Sequence, residues 1–374
     1  MQTSHKLTHF LLILTALLAC VATGWAQPIP NAGQPDMNIP SPVKPGSMLF
    51  FDIYTSKIGD PTENTRMNIT NTHPNRPVLV HFFFVNQVDC TLADAYICLT
   101  ANQTFSFLAS EYDPGITGFL FAVAVNANGV PVSHNYLIGD LYVKSTFGTT
   151  SYFQANLGAM AFSARKLWLP GPGSTVQNPI GNLVNWADGT PGNVWAFDPS
   201  RASVAFGDYR SDIEENLYDN VPNRLAIDNI QSLADGNNTL MILHSMQGTV
   251  VQAGAVGSLA GQVYNDTEKG FSYQIRGFRC LEAKLINNDL LRVPTTYSKV
   301  IPAGRTGWMF LQSPLNNAQG MPNLGLLGAT IVSNTKAATD KGAFNGGHHM
   351  HFLSVKENPG FAIPVFPVGV CFNL

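Results

Sequence analysis

Residues 115–121 read GITGFLF, and residues 304–310 read GRTGWMF. Both runs put two glycines three positions apart, a threonine between them, and an aromatic-rich apolar stretch behind. Glycines at such fixed places mark backbone that other residues resist, and the apolar tail has the length of a strand. Further pairs flank this one in the same order. Arg66–Asn71 (RMNITN) matches Arg224–Asn229 (RLAIDN), and Val78–His81 (VLVH) matches Met241–His244 (MILH). Asn126–Pro131 (NANGVP) matches Asn317–Pro322 (NAQGMP), and Leu137–Gly139 (LIG) matches Leu326–Gly328 (LLG). An ordered series of this kind predicts an internal repeat of one module. The offset grows between the second and third matches, which predicts an insertion in the second copy around Val250 to Leu291.

The texture around these matches is that of short strands. MLFFDIY, RMNITN, PVLVHFFFV, QTFSFLAS, GFLFAVAV and NYLIGDLYV are rich in Val, Ile, Phe and Tyr and are separated by Gly, Pro and Asn turns. Strands in sequence without intervening helices predict antiparallel sandwiches. The expected fold class is all-β: two tandem, related antiparallel β-sandwich domains (Ig-like or jelly-roll-like). A short helix over residues 151–167, on the spacing of Leu157, Met160 and Ala161, and a Gly/Pro-rich linker should lie between them. The expected divisions are a signal peptide at 1–26, a Pro-rich linker at 27–47, a first sandwich at 48–164, a Gly/Pro/Trp-rich linker at 165–202 and a second sandwich at 203–374.

Composition fits this class. Of 374 residues only 12% are charged and 45% are hydrophobic, with 33 glycines and 24 prolines. A net charge of -3 gives no electrostatic case for nucleic acid. Lys6, the apolar Phe10–Val21 run and the small residues Gly24 and Ala26 predict an export signal cleaved after Ala26. The alternative is a lipoprotein signal, since Leu17-Leu18-Ala19-Cys20 has the form of a lipobox and would anchor the chain through Cys20. No later run is long enough to span a membrane. The expected location is therefore secreted, periplasmic or cell-surface. Cys90, Cys98, Cys280 and Cys371 then predict disulfides, with Cys90–Cys98 and Cys280–Cys371 as the favoured pairing.

The stretches MNITNTHPNRPVLVHFFFV, CLTANQTFSFLASEYDPGITGFLFAVAVN and NYLIGDLYVK resemble those of secreted bacterial β-sandwich proteins of unassigned function. The resemblance covers residues 48–164 best. It implies export and a sandwich fold, and it carries no catalytic residues across.

Candidate chemistry is sparse. His348, His349 and His351 stand within FNGGHHMHFL, behind a turn expected at Gly346-Gly347. On one strand, alternation would put His349 and His351 on one face as a ligand pair for Zn or Cu, and His348 on the other. The competing expectation is an edge strand with solvated polar groups. His81 and His244 fall at matched places and are expected to be structural. Ser245, in LHSMQG, lacks the flanking glycines and the strand–turn–helix context of a hydrolase elbow. The acidic run 207–220 lacks calcium-loop spacing and is expected to be a solvated loop or a capped helical turn. Trp168, Trp186 and Trp195 could stack on sugars or pack the linker. No phosphate loop, dinucleotide fingerprint or zincin motif is present. These features predict a non-enzymatic exported structural or adhesion protein with a surface, matrix or glycan partner. A carbohydrate- or metal-binding module is the alternative, and a hydrolase is the third reading.

Overall fold

The computed structural model describes residues 39–125, 134–149, 151–164, 167–170, 181–184, 218–246, 248–249, 258–275, 277, 280–286, 297–312, 325–357 and 361–362. The signal segment, Cys20, Cys371, Trp186 and Trp195 lie outside them.

The first half runs β1 (Met48–Thr55), β2 (Asn64–Asn71), β3 (Val78–Asn86), β4 (Leu92–Leu99), β5 (Thr104–Leu108), the one-turn α1 (Ala109–Tyr112), β6 (Thr117–Val125), β7 (Leu137–Ser145), β8 (Phe153–Gly158) and β9 (Met160–Phe162). A small hairpin follows, β10 (Leu167–Pro170) with β11 (Gly181–Val184); Trp168 lies on β10, opposite Leu183. The second half runs β12 (Val221–Gln231), β13 (Asn237–Ser245), β14 (Gly248–Thr249), β15 (Leu259–Asn265), β16 (Gly270–Ile275), β17 (Leu281–Leu285), α2 (Tyr297–Val300), β18 (Thr306–Gln312), β19 (Leu326–Asn334), β20 (Gly346–His349), β21 (His351–Glu357) and β22 (Phe361–Ala362).

Four antiparallel sheets result, two in each half. Sheet I is β5-β2-β7-β8 and sheet II is β4-β3-β6-β1-β9; sheet III is β17-β13-β19-β20 and sheet IV is β16-β15-β18-β12-β21. Read strand for strand, sheet I has the order of sheet III and sheet II that of sheet IV. Register agrees as well. The β1–β6 ladder slips between Phe51 and Tyr54, and the β12–β18 ladder slips between Ile227 and Ile230. Gly118 then corresponds to Gly307, and Gly139 to Gly328.

These glycines are kept by close approach of a neighbouring strand. A Cβ at Gly118 would lie 2.0 Å from the Val85 carbonyl oxygen, and one at Gly307 2.3 Å from that of Tyr264. Gly115 and Gly304 instead hold positive φ, at 88° and 70°.

The pairing of registers corrects two of the five sequence matches. Arg66–Asn71 lies on β2, whereas Arg224–Asn229 lies on β12, the counterpart of β1. Val78–His81 lies on β3, whereas Met241–His244 lies on β13, the counterpart of β2. His81 and His244 are therefore not equivalent. Short amphipathic runs on neighbouring strands look alike, and that similarity misled the alignment. The true counterpart of RLAIDNI is MLFFDIY, which aligns Asp228 with Asp52. The insertion is smaller than the sequence matches implied: β15, β16 and β17 fill much of Val250 to Leu291 as counterparts of β3, β4 and β5, and the second copy is longer by 15 residues between the Ile69/Leu243 and Gly118/Gly307 equivalents. The 126–131 and 317–322 match lies outside the described residues.

The helix expected over 151–167 is absent; β8 and β9 occupy its place. At Ala159 the chain leaves sheet I for sheet II, with the Ala159 amide donating to the Gly139 carbonyl. That step resets strand alternation by one residue, so Leu157, Met160 and Ala161 imitate helical spacing.

Burial explains the order of the layers. In β2 and β7 buried positions alternate with open ones, as in a sheet with one wet face. β1 is buried at every residue, and β3 and β6 nearly so. Sheet II is thus covered twice. On one side Phe82 of β3 stacks on Phe107 of sheet I, ring centroids 5.1 Å apart. On the other, Phe50 meets His244 of sheet III at 4.7 Å. One core cluster joins Phe50, Phe83 and Phe121 to Leu240, Ile242 and Ile331 of the second half. A second cluster fills the space between sheets III and IV with Met241, Leu243, Leu225, Ile227 and Met309. The sheets therefore stack in the order I, II, III, IV. Each fully buried Phe in the middle of that stack contributes roughly 1.5–3 kcal/mol.

Three further ties cross between the halves. Cys90 is bonded to Cys280 across a sequence separation of 190. Lys44 pairs with Asp219 at 2.5 Å, both buried, and Asp219 also accepts from the Ser163 amide at 2.6 Å. Ser333 donates to the Tyr152 carbonyl at 2.6 Å. The expected Cys90–Cys98 bridge is not formed. Cys90 sits in the turn before β4 and Cys98 lies near its far end. Seven residues of strand, at ~3.3 Å each, separate them far beyond the ~7 Å limit for bridged Cα atoms. Cys280 is consequently not paired with Cys371. Cys98 is itself in a disulfide.

Candidate functional site: the outer face of sheet IV

The two halves differ most at one pair of equivalent surfaces. The face of sheet II that meets sheet III carries Met48, Phe50, Phe83, Val85, Phe119, Phe121 and Val123, all buried. Their register counterparts on sheet IV are Arg224, Ala226, Gln262, Tyr264, Trp308, Phe310 and Gln312. No described sheet covers that face. Met48, Phe83 and Val123 have given way to an arginine and two glutamines and Phe50 to alanine, while Phe119 and Phe121 stay aromatic as Trp308 and Phe310 and Val85 becomes Tyr264.

Strand pairing sets these side chains in rows. Tyr264 stands opposite Trp308, and their rings stack 5.5 Å apart at 22°. Phe310 follows at 5.9 Å from Trp308, and the Arg224 guanidinium lies 4.2 Å above the Phe310 ring. The Tyr264 hydroxyl donates to Gln262 Oε1. Trp308 is 41% exposed, an unusual state for the largest side chain on a sheet.

The bulge at Ile227–Ile230 continues the surface. It pushes Asp228 into solvent beside Trp308, and Asn229 takes φ 49° to allow it. The Asp228 carboxylate receives His348 Nε2 at 3.4 Å and His351 Nε2 at 3.2 Å. Burial lowers the pKa of His348, the nearby Asp228 charge opposes this, and the other two histidines add to the lowering.

The three histidines therefore do not divide as strand alternation predicts. Met350 is the point where the chain leaves sheet III for sheet IV, its amide donating to the Gly328 carbonyl as Ala159 does to Gly139. The step places His348 and His351 together at Asp228 and turns His349 inward. Gly346 and Gly347 belong to β20 rather than a turn, and β20 is an edge strand. Gly347 lets the first half approach: a Cβ there would lie 2.9 Å from Ala155 Cβ. Among the described residues no group of three or more His, Cys, Asp or Glu side chains is placed to hold a metal ion.

His349 serves the junction of the halves. Its Nδ1 faces the buried Asp52 carboxylate at 3.2 Å, and its Nε2 donates to the Gly158 carbonyl at 2.7 Å. Burial pulls its pKa down, but the Asp52 charge and the two acceptors outweigh it, so the pKa is raised. An imidazole with an acceptor at each nitrogen is best satisfied as the imidazolium. The equivalent aspartates thus have opposite fates: Asp52 is sealed between sheets II and III, and Asp228 is open on sheet IV.

His244 lies in the same buried layer, against Phe50 and Phe119. Burial pushes its pKa down to about 4, against the pull of Asp52. A histidine lowered from 6.5 to about 4 in the folded state binds its proton first when unfolded, so stability falls as pH drops through that window. The loss is roughly 3 kcal/mol once pH passes below 4. His244→Leu should remove that share of the acid sensitivity, read as the difference in urea midpoints between pH 7 and pH 4.5. An unchanged difference would refute the assignment.

Of the other sequence candidates, Asp219 of the acidic run is a buried ion-pair partner; Asp208, Asp212, Glu214 and Glu215 lie outside the described residues. His81 is buried beside Asp94 at 3.2 Å and against Phe83 and Tyr96. Sequence reading passed over Trp308, Tyr264, Phe310 and Arg224. The signal was present in GRTGWMF, where Trp308 replaces Phe119 of the first copy.

No family model matches the chain, and no curated protein matches it. A solved structure of Thermotoga maritima 1070 aligns at 11% identity over 31% of this chain and 95% of that one, with a TM-score of 0.24. The CupB6 tip adhesin from Pseudomonas aeruginosa aligns at 8% identity over 84% of this chain and 89% of that one, with a TM-score of 0.10. The class defined by the structure itself is an all-β protein of two sandwich-like halves.

Proposed function

We propose that this chain is an exported, non-enzymatic surface protein that holds a partner on the outer face of sheet IV. One observation carries the reading. The same sheet face is buried beneath sheet III in the first half; in the second half no described sheet covers it, Trp308 is exposed, and the face is rebuilt with aromatic and hydrogen-bonding groups. Exposed aromatic residues rimmed by polar ones mark interaction surfaces. The rest of the molecule suits a rigid support. Its halves are tied by a disulfide, by the Lys44–Asp219 pair and by the His349–Asp52 pair. Disulfides persist outside the cytoplasm, which supports export by the N-terminal signal. Among the described residues no helix is long and apolar enough to cross a membrane. Matching strand orders support descent of both halves from one duplicated module.

The test is attachment. Beads coated with the purified exported chain should adhere to cells or extracellular material, and surface-exposed protein in the producing cell should be removed by external protease. Beads that adhere no better than albumin-coated ones would overturn the reading, as would protein confined to the cytoplasm.

A further inference from the structure

We propose that the partner held by sheet IV is a carbohydrate chain, seated along the Tyr264–Trp308–Phe310 row and fixed at its sides by Arg224, Gln262 and Asp228. This rests on the reading of that face as a holding surface and names its ligand.

The comparison between halves decides the chemistry. Where this face binds protein, as sheet II binds sheet III, it carries Met48, Phe50, Phe83 and Val123, and the contact is largely apolar, with Asp52, His244 and His349 among its polar groups. Permanent protein contacts of that kind are most apolar at their buried centre. On sheet IV those four positions are Arg224, Ala226, Gln262 and Gln312, so three of the four apolar side chains have become polar ones. Two phenylalanine positions stay aromatic, Phe119 as the larger Trp308 and Phe121 as Phe310, and Val85 has become Tyr264. A surface that sets three ring faces beside planar hydrogen-bonding groups suits a ligand that is apolar in patches and hydroxylated at its edges. Sugar rings have that character: their C–H faces lie on aromatic rings, and their hydroxyls pair with amides, guanidinium and carboxylate. Ring and polar group are held by cross-strand stacking and by the Arg224–Phe310 contact, so little side-chain freedom is lost on binding.

The second copy offers no matching partner from its own kind. The outer face of sheet I, counterpart to the surface of sheet III that covers sheet II, carries Arg66, Asn68, Asp140 and Tyr142 where sheet III has Leu240, Ile242, Ala329 and Ile331. A second chain therefore lacks the apolar surface that closes the I–IV stack internally.

The experiment uses the full exported chain on a glycan array and in pull-down with insoluble cellulose, chitin and mannan, beside Trp308→Ala and Arg224→Gln variants. The expected result is binding to at least one glycan class, weakened tenfold or more by Trp308→Ala, with the melting temperature of the variant unchanged. Binding unaffected by Trp308→Ala would overturn the site. No binding to any glycan by a chain that still attaches to cells would overturn the carbohydrate assignment and leave the holding function standing. Failure to attach to anything would remove both. Self-association abolished by Trp308→Ala in sedimentation would also overturn the proposal, by showing a second copy on this face.

Discussion

Replacing Cys90 and Cys280 together by serine is expected to cost about 3–5 kcal/mol of unfolding free energy. The bridge joins residues 190 positions apart, so it restricts the unfolded chain more than a short loop would. The chain-entropy treatment gives roughly 5 kcal/mol for a closed loop of this length, and measured bridges usually fall somewhat below it. Both cysteines are buried, so the serines also inherit apolar surroundings. For a protein of this size each kcal/mol is worth ~1–2 °C, and a fall in melting temperature of roughly 3–10 °C should follow. A variant that melts with the parent would show that the bridge does not constrain the fold.

His349→Leu is expected to cost a similar amount, about 3–5 kcal/mol, because it leaves the fully buried Asp52 carboxylate without its cation. Adding Asp52→Leu should restore much of the loss, since two apolar residues suit that layer better than one isolated charge. The effect also has a pH signature. His349 has a raised pKa in the folded state, so its stabilisation is fully present below the ordinary histidine value of 6.5 and fades as pH rises through the raised value. The gap between parent and His349→Leu should therefore be larger at pH 6 than at pH 9 in denaturant titrations. A gap of less than ~1 kcal/mol at pH 6 would place His349 among ordinary surface pairs.

The sequence revealed the architecture through strand texture and the GITGFLF and GRTGWMF pair, whose glycines answer to backbone crowding at Val85 and Tyr264. It misplaced what depends on sheet switching. Ala159 and Met350 each move the chain between sheets, and a period-two reading cannot cross such a step. That made a helix of β8 and β9 and sorted His348, His349 and His351 wrongly. The disulfide was misread because strand length, which keeps Cys90 and Cys98 apart, is invisible in a spacing of eight. Stacking of the halves was readable in principle: MLFFDIY, PVLVHFFFV and GFLFAVAV are apolar on both faces, which a two-layer sandwich does not require. The open face of sheet IV escaped notice because its meaning lies in a comparison between copies. Only correct register shows that Arg224, Gln262 and Gln312 replace Met48, Phe83 and Val123.

The most direct test of the stack is a disulfide map of the unreduced protein, digested so that the chain is cut between Cys90 and Cys98, for instance at Asp94. The four-layer arrangement predicts a peptide containing Cys90 joined to one containing Cys280. Recovery of Cys90 joined to Cys98 would mean that the halves are not closed on one another as described, and the contrast between a buried sheet II and an open sheet IV would fall with it.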